Sequence, residues 1–104
     1  MGYYTNHELE IVDGDIGLIS ELRNCCEEAS YAIDDTGSEE QGCKWYDHEK
    51  DLREFSTKHP AALFVLNGEG EENGDIWREY YRNGKMQRCK AVIAMPKFNP
   101  ALLK

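Results

Sequence analysis

Asn83-Gly84 lies between two runs of alternating side-chain character, and no other dipeptide restricts the fold of this chain so tightly. A two-residue type I′ turn needs positive φ at both central positions, which asparagine followed by glycine supplies at least cost. The spacing therefore predicts a hairpin, with strands over Asp75–Arg82 and Lys85–Ala94. Period-two alternation sets Ile76, Arg78, Tyr80 and Arg82 on one face and Trp77, Glu79 and Tyr81 on the other. On the return strand, Cys89, Ala91 and Ile93 share a face, and Met86, Arg88, Lys90 and Val92 share the opposite one. Leu63-Phe64-Val65-Leu66 has no polar alternation, which predicts a central strand covered on both sides. Asn67 to Gly74, with three glycines, reads as the turn that follows it.

Upstream, Tyr3–Val12 alternates Leu9 and Ile11 with Glu8 and Glu10 and reads as a strand. Asp13-Gly14-Asp15 turns the chain into a helix over Ile16–Ala32, whose apolar stripe runs through Leu18, Leu22, Cys25 and Ala29. Asp34–Gln41 has no apolar residue and reads as a solvated, mobile loop. Cys43–Tyr46 is short and β-prone. Asp47 is placed to cap a second helix, which ends before Pro60 because the residue preceding proline is biased out of the helical region. From about residue 95 an irregular tail begins, with Phe98 and Leu102 placed to dock. The order β-α-β-α-β-β-β implies one α+β domain over residues 1–104. Two helices would pack on one face of a mixed, mostly antiparallel five-stranded sheet, leaving the other face half exposed.

Charge is unevenly divided. All 20 acidic residues fall between Glu8 and Glu79, and only six basic residues share residues 1–79, which leaves −14 there. Residues 80–104 hold six basic residues and no acid, hence +6. A field of that kind repels free nucleic acid and attracts a basic surface. No apolar run approaches the roughly 18 residues of a membrane span, and the N-terminus has no basic-apolar signal, so the expected location is the cytoplasm. Cys25, Cys26, Cys43 and Cys89 form no Cys-x-x-Cys pair, and reduced thiols are expected.

Three groups of residues could carry function. Glu21, Glu27, Glu28, Asp34, Asp35, Glu39 and Glu40 line the first helix and its loops. Carboxylates in such rows can imitate nucleic-acid phosphates and speed association with a basic groove, although the same residues also suit a solvated helix face. Trp77, Tyr81, Arg82, Arg88 and Lys90 interleave aromatic and basic character, as single-strand nucleic-acid binders do; cross-strand packing explains the same pattern. Third, Trp45-Tyr46-Asp47-His48 with Glu69, Glu71, Glu72 and Asp75 could serve acid–base chemistry or hold a metal. No spacing forces these together, and the glycines around Glu69 are flanked by acids that would repel phosphate.

Trp45 near an acidic helix start, His59-Pro60 before Leu63–Leu66, and the run from Gly68 through Glu71, Glu72 and Asp75 to Trp77 resemble YubB-type ferredoxin-like proteins of phages and plasmids. The likeness covers residues 43–94. It implies a ferredoxin-like variant and a mobile genetic element as context, and transfers no catalytic residue. The leading expectation is a non-enzymatic module whose acidic face binds a basic protein, such as a host nucleic-acid-handling or defence enzyme, as inhibitor or modulator. The alternative is single-stranded nucleic-acid binding by the C-terminal hairpin. No metal or cofactor is expected, and the open sheet face leaves room for a second copy.

Overall fold

Register brings the apolar and polar rows of the strands together. In the computed structural model, which describes residues 3–40 and 42–104, four strands form one antiparallel sheet in the order β1-β2-β3-β4. They are β1 (Thr5–Asp13), β2 (Leu63–Gly70), β3 (Ile76–Arg82) and β4 (Lys85–Lys90). Three helices intervene between β1 and β2: α1 (Gly17–Cys25), α2 (Glu27–Ala32) and α3 (His48–Lys58). The helix-covered face carries three cross-strand rows: His7–Gly68–Trp77–Lys90, Leu9–Leu66–Glu79–Arg88 and Ile11–Phe64–Tyr81–Met86. Ile19 and Leu22 of α1, Ala29 and Ala32 of α2, and Leu52 and Phe55 of α3 close the core over these rows.

The hairpin forms as its dipeptide requires, with φ +48° at Asn83 and +78° at Gly84. It is also tied to α3. The Gly84 amide donates to Ser56 Oγ (2.8 Å), and Arg53 Nη1 donates to the Gly84 carbonyl (3.1 Å). Because Ser56 is fully buried, these bonds lock the helix over the turn from inside the core.

The five-stranded, mixed sheet and the ferredoxin-like variant expected from sequence are corrected to four strands, all antiparallel, in the order β-α-α-α-β-β-β. Cys43–Tyr46 makes only one bridge, to Thr5. Trp45 turns inward there, is 2 % exposed, and donates its indole N–H to Asp51 Oδ2 (2.9 Å), so the chain bends into α3 rather than running along the sheet. The single helix expected over Ile16–Ala32 breaks at Cys26, whose φ −131° and ψ 107° are extended. Beyond the break the inward positions are Ala29 and Ala32, small enough for α2 to lie close to its neighbours. Asp47 stands at the start of α3 without a side-chain capping bond. Asn67–Gly70 continues β2 instead of turning, while β4 ends at Lys90, and Phe98 and Leu102 are exposed rather than docked.

The expected mobile loop is instead a fastener, as far as it is described; Gln41 lies outside the described residues. Asp34 Oδ1 accepts from Thr36 N–H (2.8 Å), Thr36 Oγ1 (2.6 Å) and Ser38 N–H (3.1 Å), the usual way a short acidic side chain closes a turn. The Gly37 carbonyl then accepts from Leu9 N–H (2.8 Å), and Thr5 and Cys43 exchange two backbone bonds. Together these cover the outer edge of β1.

Gly37 has φ +84°, and a Cβ there would collide with the Leu9 carbonyl; Gly74 has φ +83° but meets only Ile93 Cδ1, at 3.3 Å. Gly37→Ala should therefore cost about 2 kcal/mol or more, against roughly 1 kcal/mol for Gly74→Ala. Urea unfolding of both variants measures the difference, and equal losses would show that the loop does not fasten β1.

Candidate functional site

Alternation along β3 drives Glu79 into the core between Trp77 and Tyr81, where it has 0 % exposure. A carboxylate there needs partners, and three elements supply them. His48, at the first turn of α3, brings Nδ1 to 2.8 Å from Glu79 Oε1. The Tyr81 hydroxyl donates to the same oxygen (2.5 Å), and Arg88 of β4 places Nη1 3.4 Å from Oε2. Neither His48 Nδ1 nor Glu79 Oε2 makes a well-aligned hydrogen bond, and Arg88 holds Oε2 chiefly by charge attraction. Burial pushes the Glu79 carboxyl up, but His48, Tyr81 and Arg88 outweigh it and hold the group below the usual glutamate value. Glu79 is ionised at neutral pH. The Tyr81 hydroxyl is driven strongly up by burial and then by Glu79 beside it.

Aromatic rings enclose this network. His48 stacks on Trp77 (centroids 4.9 Å apart, planes 16°), and the Arg88 guanidinium lies 5.3 Å from the Trp77 ring centre. Gly68 leaves the room for that indole, since any Cβ there would strike the Trp77 ring. His7 meets Trp45, Trp77 and His48 at 5.5 to 6.0 Å. It is 2 % exposed, and burial, then the His48 charge, lowers its pKa from 6.5 to about 4, so it stays neutral. A hollow of about 220 Å³ opens beside these rings, reached also by Tyr3, Cys43, Tyr46 and Asp75.

An imidazole held by a carboxylate can move protons. Here the ring lies flat against Trp77, with a side chain only 15 % exposed. The nearest thiol, Cys43, is 3.9 Å from His7 Nδ1, and burial raises its pKa, so it is protonated and a weak nucleophile at neutral pH. Chemically, the arrangement is a buried ionic lock faced with aromatic rings.

Of the acidic turn, Asp75 does reach the hollow with His48, where its Oδ2 accepts from Tyr3 Oη (2.6 Å). Glu71 accepts from the Tyr4 amide (2.9 Å). Among the described residues no three His, Cys, Asp or Glu side chains gather closely enough to hold a metal. In the hairpin set, Trp77 and Tyr81 are core residues, whereas Arg82, Arg88 and Lys90 are exposed at its edge.

The seven carboxylates of the first helix and its loops divide into groups. Arg23 binds Asp35 (2.5 Å) and reaches Glu40 (3.6 Å), Glu21 sits 3.3 Å from His59 Nε2, and Asp34 is spent on its own turn. Glu39 is exposed on the rim beside β1. Glu27 and Glu28 open α2, close to Asp47 and Asp51 at the start of α3. Two positive helix ends thus draw four carboxylates to one corner, and among the described residues none of the four has a lysine or arginine within ion-pair distance. The Glu28 carboxyl is shifted up, by burial and then by Asp51, Asp47 and Glu27.

Sequence reasoning overlooked Glu79 as the partner of His48, the burial of His7, and the meeting of Asp47 and Asp51 with Glu27 and Glu28. For Glu79 a signal existed, since alternation already sets it on the face of Trp77 and Tyr81. No protein-family model, curated protein or solved structure matches the chain.

Acid should loosen this core in a defined window. Unfolded His7 binds a proton near pH 6.5 and folded His7 only near 4, so its contribution is complete above 6.5 and lost as pH falls to 4. The loss amounts to about 3 kcal/mol. Glu79, with a lowered pKa, adds a further loss below its unfolded value of 4.5. His7→Leu should flatten Tm against pH between 6.5 and 4; a slope unchanged by the substitution would place the proton uptake elsewhere.

Proposed function

We propose that this chain is a non-enzymatic binding module whose acidic corner contacts the basic surface of a protein partner, of the kind that grips nucleic acid. The observation that carries this reading is the crowding of Glu27, Glu28, Asp47 and Asp51, which among the described residues have no lysine or arginine within ion-pair distance; burial first, and then these neighbouring charges, leave Glu28 harder to ionise than a free glutamate. Charge placed only for solubility gains nothing from such crowding. A cationic partner relieves the repulsion, and the association that results is fast and selective. The rest of the surface agrees with it. Glu8 and Glu10 lie on β1, whereas Lys85, Arg88 and Lys90 lie on β4, the opposite edge of the sheet. A basic partner is therefore steered to the β1 side of the molecule and turned away from the hairpin.

Two measurements test this together. Pull-down from lysate at two ionic strengths should retain a basic protein that Glu28→Lys with Asp47→Lys releases, with affinity falling at least about tenfold. Glu28→Gln should weaken the same association yet raise Tm, because a carboxyl whose folded pKa is raised opposes folding whenever it is ionised. Retention that neither the double reversal nor salt disturbs would assign the contact to another surface.

A further inference from the structure

After Lys90 the chain makes one more sheet bond, from the Ala91 amide to the Ile76 carbonyl (2.9 Å), and then leaves the body. Residues 91–104 are exposed throughout. Val92, Ile93, Met95, Phe98, Leu102 and Leu103 are between 62 % and 91 % exposed. Solvated linkers are polar; this arm holds six large apolar side chains, two lysines and no acid. Its end is shaped, for Asn99 Oδ1 accepts from the Ala101 amide (3.0 Å) and Pro100 opens a short 3₁₀ turn. The arm also accounts for an elongated molecule, 55 × 35 × 21 Å, with a radius of gyration of 16.4 Å where a compact chain of this length has about 13 Å.

Among the described residues no helix covers the opposite face of the sheet, where only Val65, between Glu10 and Tyr80, is buried. Val12 and Ile76 are 57 % and 46 % exposed there. Two hollows flank Tyr80: one of about 280 Å³ bordered by Ile76, Asn67 and Cys89, and one of about 460 Å³ bordered by Leu63, Pro60 and Gln87. Glu8 and Glu10 line the β1 side of the same face.

We propose that two copies of this chain exchange their arms, each arm lying across the partner's uncovered sheet face. Its apolar side chains fill the hollows beside Tyr80, and Lys97 and Lys104 answer the Glu8 and Glu10 row. A second copy is the occupant because, beyond Ala91, no residue of the arm borders the hollows of its own face and all of them stay exposed. The arm departs past the turn between β2 and β3, where Ile93 lies beside Gly74. Residues 91–104 contain no glycine, Pro96 and Pro100 bias the residues before them toward extended backbone, and the turn at Pro100–Leu102 comes only at the arm's far end, so nothing near Ala91 supplies the sharp reversal needed to return. A reciprocal exchange closes on a two-fold axis. A stable dimer requires that two arms and the faces beneath them remove roughly 1,200–2,000 Å² from water. The acidic corner takes no part, so this proposal stands apart from the partner-binding reading.

Sedimentation equilibrium of the full chain should give twice the 12.0 kDa chain mass at low micromolar concentration. Phe98→Asp with Leu102→Asp changes only exposed arm positions, and Tyr80→Asp changes only the sheet face. Each should raise the dissociation constant by about 30-fold or more. Mixing the two variants should restore association in part, because one pairing of intact arm with intact face survives in the mixed dimer. A chain that stays monomeric at about 100 µM, a dimer that survives either variant, or a mixture that gains nothing over its components would each overturn the exchange.

Discussion

Glu79 sits in the middle of β3 with no access to water, and an ionised carboxylate can stay there only if several elements agree to serve it. Removing such a charge from solvent costs several kcal/mol before any partner is counted. His48 arrives from α3, Tyr81 from two residues along the same strand, and Arg88 from β4. His7, on β1 two strands away, must remain uncharged near them. The outcome is more a demand for one arrangement than a large gain in stability. If β3 slipped by one residue, the carboxylate would move to the uncovered face and leave His48 and Arg88 without their partner. The stacking of His48 on Trp77, and the vacancy at Gly68 that admits the indole, follow from the same requirement.

Features governed by neighbouring residues were legible in the sequence. Asn83-Gly84, the alternation of β3 and β4, and the helix stop before Pro60 each depend on local chemistry, and each is realised. What was not legible depends on partners distant in the chain. His48 and Glu79 are linked by no pattern, so the lock between α3 and β3 could not be foreseen. Trp45 belongs to a strand-like tetrapeptide, but its bond to Asp51 and its burial outweigh that propensity. The apolar stripe of the first helix runs smoothly through Cys26, and nothing local announces the break there. Asp34 and Gly37 held recognisable turn chemistry, yet the bond from Leu9 that makes the loop a fastener spans 28 residues.

Charge along the chain is also a poor guide to charge in space. Glu21, Asp35 and Glu40 appear as free as Glu27 when written out, but Arg23 and His59 attend to them. Glu27 and Glu28 meet Asp47 and Asp51 because two helices begin at the same corner, a fact of packing. The acidic surface is consequently smaller than the count of carboxylates suggests, and its unneutralised part is concentrated.

The fastening of β1 by the Asp34–Glu39 loop bears on how far strand pairing between molecules could spread. A sheet with two bare margins can template its own repetition into fibres. In this one, Gly37 and Cys43 already occupy backbone groups along the β1 margin, while the β4 margin bristles with Lys85, Arg88 and Lys90. Backbone addition is blocked on one flank and electrostatically discouraged on the other, which keeps a protein with so many apolar residues on show from polymerising edge to edge.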